Sequence, residues 1–158
     1  MDSQAEAFAW IIGIFKKYKI PFLVSGGLAA NSYGSTRKIK DFDFDISSAG
    51  LEKIIDAVRP YVVSGPEKHR SRALENTLLK LRYKNQDIDI AGSSNTKIYD
   101  EEKSVWVEDS VDFSRLEEKE IFGLKVPVTH PEDLIAYKSR FPRPEDIIDI
   151  EAVKKYLE

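Results

Sequence analysis

Residues 41–46 read DFDFDI, and this stretch limits the fold more tightly than any other in the chain. Aspartate is a poor strand former. The two-residue alternation nevertheless has the period of a strand, in which successive side chains point to opposite faces. Phe42, Phe44 and Ile46 can then enter a core, while Asp41, Asp43 and Asp45 line the other face. Three carboxylates on one strand face repel one another, so a compensating charge must come from elsewhere.

The chain has 158 residues, enough for one domain with a real core, and we expect residues 1–158 to form a single domain. Its net charge of −3 gives no global attraction to nucleic acid or to a membrane surface. The absence of cysteine excludes disulfides and thiolate metal sites and fits a reducing compartment. The apolar run FAWIIGIF at residues 8–15 is too short to cross a bilayer and lacks the basic leader of a signal peptide. A cytoplasmic location with no membrane partner is the expectation.

Helix and strand signals alternate along the chain. Residues 3–18 predict a helix with Ser3 as N-cap and acids before bases. FLVSGG predicts a strand ending in a tight turn, LAANSY a short helix, and 51–58 an amphipathic helix with Leu51, Ile54, Ile55 and Val58 on one face. A strand is expected at 60–64. TLLKLRYK (77–84) and DIDIAG (87–92) predict strands joined at Asn85-Gln86, and EEKEIFGLKVPVTH a hairpin around Phe122-Gly123. The polar stretch 93–112 carries no clear period. PEDLIAYKSR and PEDIIDIEAVKKYLE each open with proline and acids, the signature of a helix start, which places C-terminal helices at about 131–158. The pattern implies an α/β (α+β) class: a small mixed sheet flanked by helices.

The SGG turn at Ser25, Gly26 and Gly27 and the acidic strand belong together. Two glycines at a strand end allow a ligand close to the backbone, and a following helix offers free N–H groups, which suits phosphate. Carboxylates alternating on a strand suit a hard divalent cation such as Mg²⁺, which takes oxygen ligands and commonly shares them with substrate phosphates. Asp89 in DIDI supplies a third carboxylate from another strand, and Asp87 shares its face. An exposed edge strand protected by its charges would explain DFDFDI alone, but not the glycine turn and Asp89 beside it.

The stretch VSGGLAANSYGSTRKIKDFDFDI resembles the signature of the nucleotidyltransferase superfamily, especially its small minimal members: an apolar residue, Gly-Gly, a spacer, then Asp-apolar-Asp. Thirteen residues separate Gly27 from Asp41. Ala29, Tyr33-Gly34 and Arg37 match features of that spacer, and GLKVPVTHPEDLIAYK with RPEDIIDIEAV is similar to the C-terminal pattern of these proteins. The resemblance implies a polymerase-beta-like fold and transfer of a nucleoside monophosphate from an NTP, ATP first, with two Mg²⁺ ions. It assigns Asp41, Asp43 and Asp89 to catalysis and metal, Ser25, Gly26 and Gly27 to the terminal phosphates, and Arg37 and Lys138 to countercharge on the triphosphate. Acceptors across the family include small molecules, tRNA and protein side chains, so the acceptor stays open.

The chain departs from the pattern at Ile39, where many relatives carry a small hydroxyl residue, and at Asp45, an additional acid. Whether Asp45 or Asp87 joins the site is open. The second reading is a catalytically weak or inactive member that binds a protein partner, antitoxin-like. Lys138, on a predicted helix, has a solvated face as its default, and the acids of the last helix are expected to serve its dipole. His69, in KHRSR at 68–72, reads as part of a solvated basic loop, and His130 as a loop or cap residue.

Overall fold

The structure is a computed structural model and describes residues 2–71, 74–140 and 142–158. Helix α1 (Ser3–Lys17) is capped by Asp2, whose carboxylate accepts from the Gln4 N–H. The cap therefore falls one residue before the expected Ser3, which is the first residue of the helix. Ala7, Phe8, Ile11, Ile12 and Phe15 form the buried face of α1. Strand β1 (Phe22–Ser25) runs into α2 (Gly26–Ser32), and β2 (Asp41–Ile46) follows a loop. Ser47 caps α3 (Ser48–Val58), and a 3₁₀ turn at Arg59–Tyr61 leads on from it.

Strands β3 (Val62–Arg70), β4 (Leu74–Tyr83), β5 (Gln86–Asp100), β6 (Val105–Glu108), β7 (Leu116–Ile121) and β8 (Leu124–Thr129) complete an eight-stranded sheet. Its order is β3-β4-β5-β2-β1-β8-β7, with β6 paired to β5. The sheet is mixed: β2 runs parallel to β5 and β1 parallel to β8, and the other pairs are antiparallel. Helices α4 (Pro131–Lys138) and α5 (Pro144–Tyr156) pack on each other and on α2.

Phe42, Phe44 and Ile46 are fully buried, with Ile88, Ile90, Leu79 and Leu81 from the neighbouring strands. Phe44 meets the rings of Phe8, Phe15 and Phe22. Each such side chain contributes about 1.5–3 kcal/mol through burial, which holds the acidic strand in register although its other face repels itself.

The structure moves three sequence expectations. The β4–β5 turn is Lys84-Asn85, both with positive φ (48° and 65°), not Asn85-Gln86. Gln86 instead opens β5, where its amide donates to the Lys40 carbonyl at 2.7 Å. The strand expected at 60–64 becomes β3 and continues through the polar residues to Arg70, because pairing with β4 satisfies its backbone. The polar stretch from residue 93 is mostly strand: β5 extends to Asp100 across a register shift, and β6 pairs with it. The β7–β8 turn is at Phe122-Gly123 as expected, again with positive φ at both residues. No described helix is long and apolar enough to cross a membrane.

Candidate active site

The site begins where β1 becomes α2. Gly26 has φ +61°, and a Cβ there would lie 2.2 Å from Asp43 Oδ2. Both the backbone conformation and the contact therefore require glycine. A Cβ on Gly27 would lie 2.5 Å from Arg37 Nη2. The turn is thus held between a carboxylate on one side and a guanidinium on the other.

Strand register fixes the acids. Ser25 pairs with Asp43 across β1–β2, Asp43 with Asp89 and Asp41 with Asp87 across β2–β5. Register partners share a sheet face, and neighbouring strands lie about 4.8 Å apart. Unit charges at such separations repel by roughly 3–4 kcal/mol near a protein surface. The consequences appear in the titration of the group. Burial, followed by the fields of Asp89, Asp41 and Asp45, pushes the Asp43 carboxyl up to about 7, with Lys138 opposing. Burial lifts Asp45 to about 6, although the Ser25 hydroxyl donates to it. Asp89 is also raised, by burial and by Asp41 and Asp87, against the pull of Lys80 and His69. Asp87 differs: Arg82 donates to it through Nε at 2.8 Å and Nη2 at 3.3 Å and holds it below the usual carboxylate range.

A second cluster lies beside the first. Asp149 is fully buried and accepts from Ser35 Oγ (2.7 Å) and from Arg37 Nε and Nη2 (3.2 and 2.8 Å). Lys138 Nζ lies 3.2 Å from Asp149 and 3.1 Å from Asp146, and Arg143 Nε donates to Asp146 at 3.0 Å. Burial works against both carboxylates, but their hydrogen bonds and cations outweigh it: Asp146 falls to about 2, and Asp149 is also lowered.

Ser25, Gly26, Gly27, Asp41, Asp43 and Asp89 therefore share one neighbourhood. Arg37 reaches the turn but is bound to Asp149, and Lys138 is buried rather than solvated, its field felt at Asp43. Asp146 and Asp149 do more than serve the helix dipole. The sequence did carry a signal for them: 146, 149, 150 and 153 follow the spacing of a buried helix face, and acids on such a face need buried partners. His130 is the α4 cap, its Nδ1 accepting from the Glu132 N–H. His69 is exposed on β3, and Arg72 of the same basic run lies outside the described residues.

The donor set of the first cluster is all carboxylate oxygen, with surplus negative charge, which fits Mg²⁺. Among the described residues, no group of three or more His, Asp or Glu side chains is arranged to hold a metal ion by itself. A metal held there would need further ligands from a bound molecule.

No protein-family model matches the chain, and no curated protein matches it. Solved structures do. A Thermotoga maritima protein (TM1012) described as a nucleotidyltransferase superposes with a TM-score of 0.70 at 19% identity, covering 96% of this chain and 92% of that one. The lincosamide antibiotic adenylyltransferase LnuA, in its lincomycin-bound form, gives 0.62 at 16% identity and covers 96% of each chain. ANT(2″)-Ia in complex with adenylyl-2″-tobramycin gives 0.64 at 15% identity, covering 99% of this chain and 91% of that one. The chain has the nucleotidyltransferase fold.

Proposed function

We propose that the protein transfers a nucleoside monophosphate, AMP first, from an NTP to a small hydroxylated acceptor. One observation carries this reading: Asp43, faced in register by Asp89, flanked by Asp41 and packed on Gly26, stands among carboxylates with which no side chain of the described residues forms an ion pair. Such a cluster is stable only when something from outside offsets its charge. Two of the solved structures of this fold support the small acceptor through what they contain: lincomycin in one and an adenylylated tobramycin in the other.

The division of labour follows from position. Asp41, Asp43 and Asp89 would hold Mg²⁺, which when bound offsets their repulsion and neutralises charge on the phosphates. Ser25 and the N–H groups at Gly26 and Gly27 receive the terminal phosphates at the start of α2. Arg37 and Lys138 add positive field beside them, each fixed by Asp149 rather than swinging free. The acceptor oxygen bonds to the α-phosphorus, the bond from that phosphorus to the β-bridging oxygen breaks, and pyrophosphate leaves. Asp89, held above the usual carboxylate range, takes the acceptor proton.

A non-catalytic, protein-binding role is the second reading. It draws support from the lack of a preformed three-ligand metal cluster among the described residues. The two part on a melting experiment. A nucleotidyltransferase gains stability from ATP with Mg²⁺, and Asp43→Asn abolishes the gain. A wild-type midpoint that ATP and Mg²⁺ leave unchanged sinks the catalytic reading.

A further inference from the structure

We propose that Lys80 selects the acceptor: the small hydroxylated molecule that receives the nucleotidyl group also carries a phosphate or a carboxylate, and that anion pairs with this lysine. The inference rests on the nucleotidyltransferase reading above and deepens it by naming the chemical class of the acceptor.

Strand register lays the site out as one row. Ser25 pairs with Asp43, Asp43 with Asp89, Asp89 with Lys80 and Lys80 with Ser64, so the row crosses the sheet from β1 through β2, β5 and β4 to β3. Its members share one face. On the other face the next row, Phe44, Ile90 and Leu79, is buried in the core. Neighbouring strands lie about 4.8 Å apart. Lys80 is therefore the immediate neighbour of Asp89 on the side away from Asp43 and from the glycine turn.

The geometry of the displacement assigns the two ends of the row. Attacking and leaving oxygens stand on opposite sides of the phosphorus. Pyrophosphate leaves toward Ser25, Gly26 and Gly27, so the acceptor hydroxyl enters from the opposite flank, gives its proton to Asp89 and keeps the rest of its molecule over β4. There it meets the exposed Lys80, with the half-buried pair Leu78 and Ala91 in the next row of the same face. Lys80 forms no ion pair among the described residues. Its neighbours in the sheet are taken: Arg82 is bound to Asp87, and Lys68 and Arg70 to Glu75. Glu67, the one acid of β3, pairs in register with Leu78 and not with Lys80. His69 shares the face of Glu67, and both Lys80 and His69 draw the Asp89 carboxyl down against the burial that raises it. An anion about one strand spacing from the reacting hydroxyl meets the Lys80 ammonium, and a cation at the same place is repelled.

Transfer from α-labelled ATP with Mg²⁺ to four acceptors of one three-carbon skeleton tests the assignment: glycerol 3-phosphate, glycerate, glycerol and 3-amino-1,2-propanediol. The wild type is expected to use at least one of the two anions with a kcat/KM about tenfold or more above that of glycerol, the size of one charge-assisted hydrogen bond, and to use the amine least. Lys80→Met should erase the preference by raising KM for the anion, and Lys80→Glu should turn it toward the amine. The ratio isolates recognition, because a change in folding or in the field at Asp89 acts on all four acceptors alike. A wild type that does not prefer an anion overturns the inference. So does a loss in Lys80→Met that is equal for all four, which would make the lysine a countercharge to Asp89 only. If none of the four accepts while ATP with Mg²⁺ still raises the wild-type melting midpoint, this inference fails and the nucleotidyltransferase reading stands. If the midpoint does not move, that reading itself has failed, and this inference falls with it.

Discussion

Two groups of aspartates lie on either side of Lys138, and burial acts on both in the same direction. Asp146 and Asp149 are 6% and 0% exposed, yet their carboxyls sit below the ordinary range. Asp43 and Asp45 are only partly buried, yet theirs are raised to about 7 and 6. Partners make the difference. The first pair is met by Arg37, Lys138, Arg143 and Ser35. In the second group Asp43 feels the fields of Asp89, Asp41 and Asp45 against that of Lys138, and Asp45 is opposed in its burial by the Ser25 hydroxyl alone among the described residues. One cluster is complete within the chain and clamps α4 and α5 to the loop before β2. The other is left short of positive charge, as a site built to receive a cation and a polyphosphate would be.

If that contrast is right, breaking the complete cluster harms folding most. Asp149→Ala leaves buried cations uncompensated and is expected to cost about 3–5 kcal/mol, read by urea unfolding. A loss under about 1 kcal/mol would mean that the clamp is not the buried ion network described.

In the incomplete cluster the effects divide. Asp43→Asn should reduce nucleotidyl transfer by at least about a hundredfold, as loss of a key electrostatic group does, in an assay with α-labelled ATP. The same change should stabilise the unliganded chain at pH 8, because it removes a carboxylate charge that burial and the neighbouring acids oppose. The sign follows from linkage. Between about pH 4 and 7 native Asp43 and Asp45 hold protons that the unfolded chain has released, so unliganded stability falls as pH rises through that window. Asp146 and Asp149 act oppositely: their stabilisation is present above the unfolded aspartate value and is lost as pH falls through it towards about 2. Denaturation midpoints across pH 2–8 should therefore peak in the acid-to-neutral range in the wild type and stay flatter toward pH 8 in Asp43→Asn.

The smallest expected effect compares two glycines with positive φ. Gly26→Ala meets both strain and the Asp43 carboxylate and should cost about 1–3 kcal/mol. Gly123→Ala meets open space, and only the strain of its φ of +80° remains, about 1 kcal/mol. Equal losses at the two positions would remove the close approach at Gly26 from the account.

The strands and the turn of the site were legible because local periodicity encodes them. DFDFDI alternates without interruption, and Gly26-Gly27 and Phe122-Gly123 mark their turns in residue chemistry. Register between distant strands was not legible: nothing local in DIDI specifies that Asp89 faces Asp43. Strands β3 and β5 extend through polar residues because neighbouring strands satisfy their backbones, a tertiary effect that composition hides. Lys138 looked solvated because its partners, Asp146 and Asp149, come from the next helix.

The most direct test of the incomplete cluster is a carbon-detected NMR titration of the Asp43 carboxyl, with and without Mg²⁺ and a non-hydrolysable ATP analogue. The account predicts a midpoint near 7 in the free protein, well above the ordinary 3.8, and a fall of at least about two units with the ligands bound, the size an adjacent opposite charge produces. A free-protein midpoint near 3.8, or one that Mg²⁺ and nucleotide do not move, would contradict it.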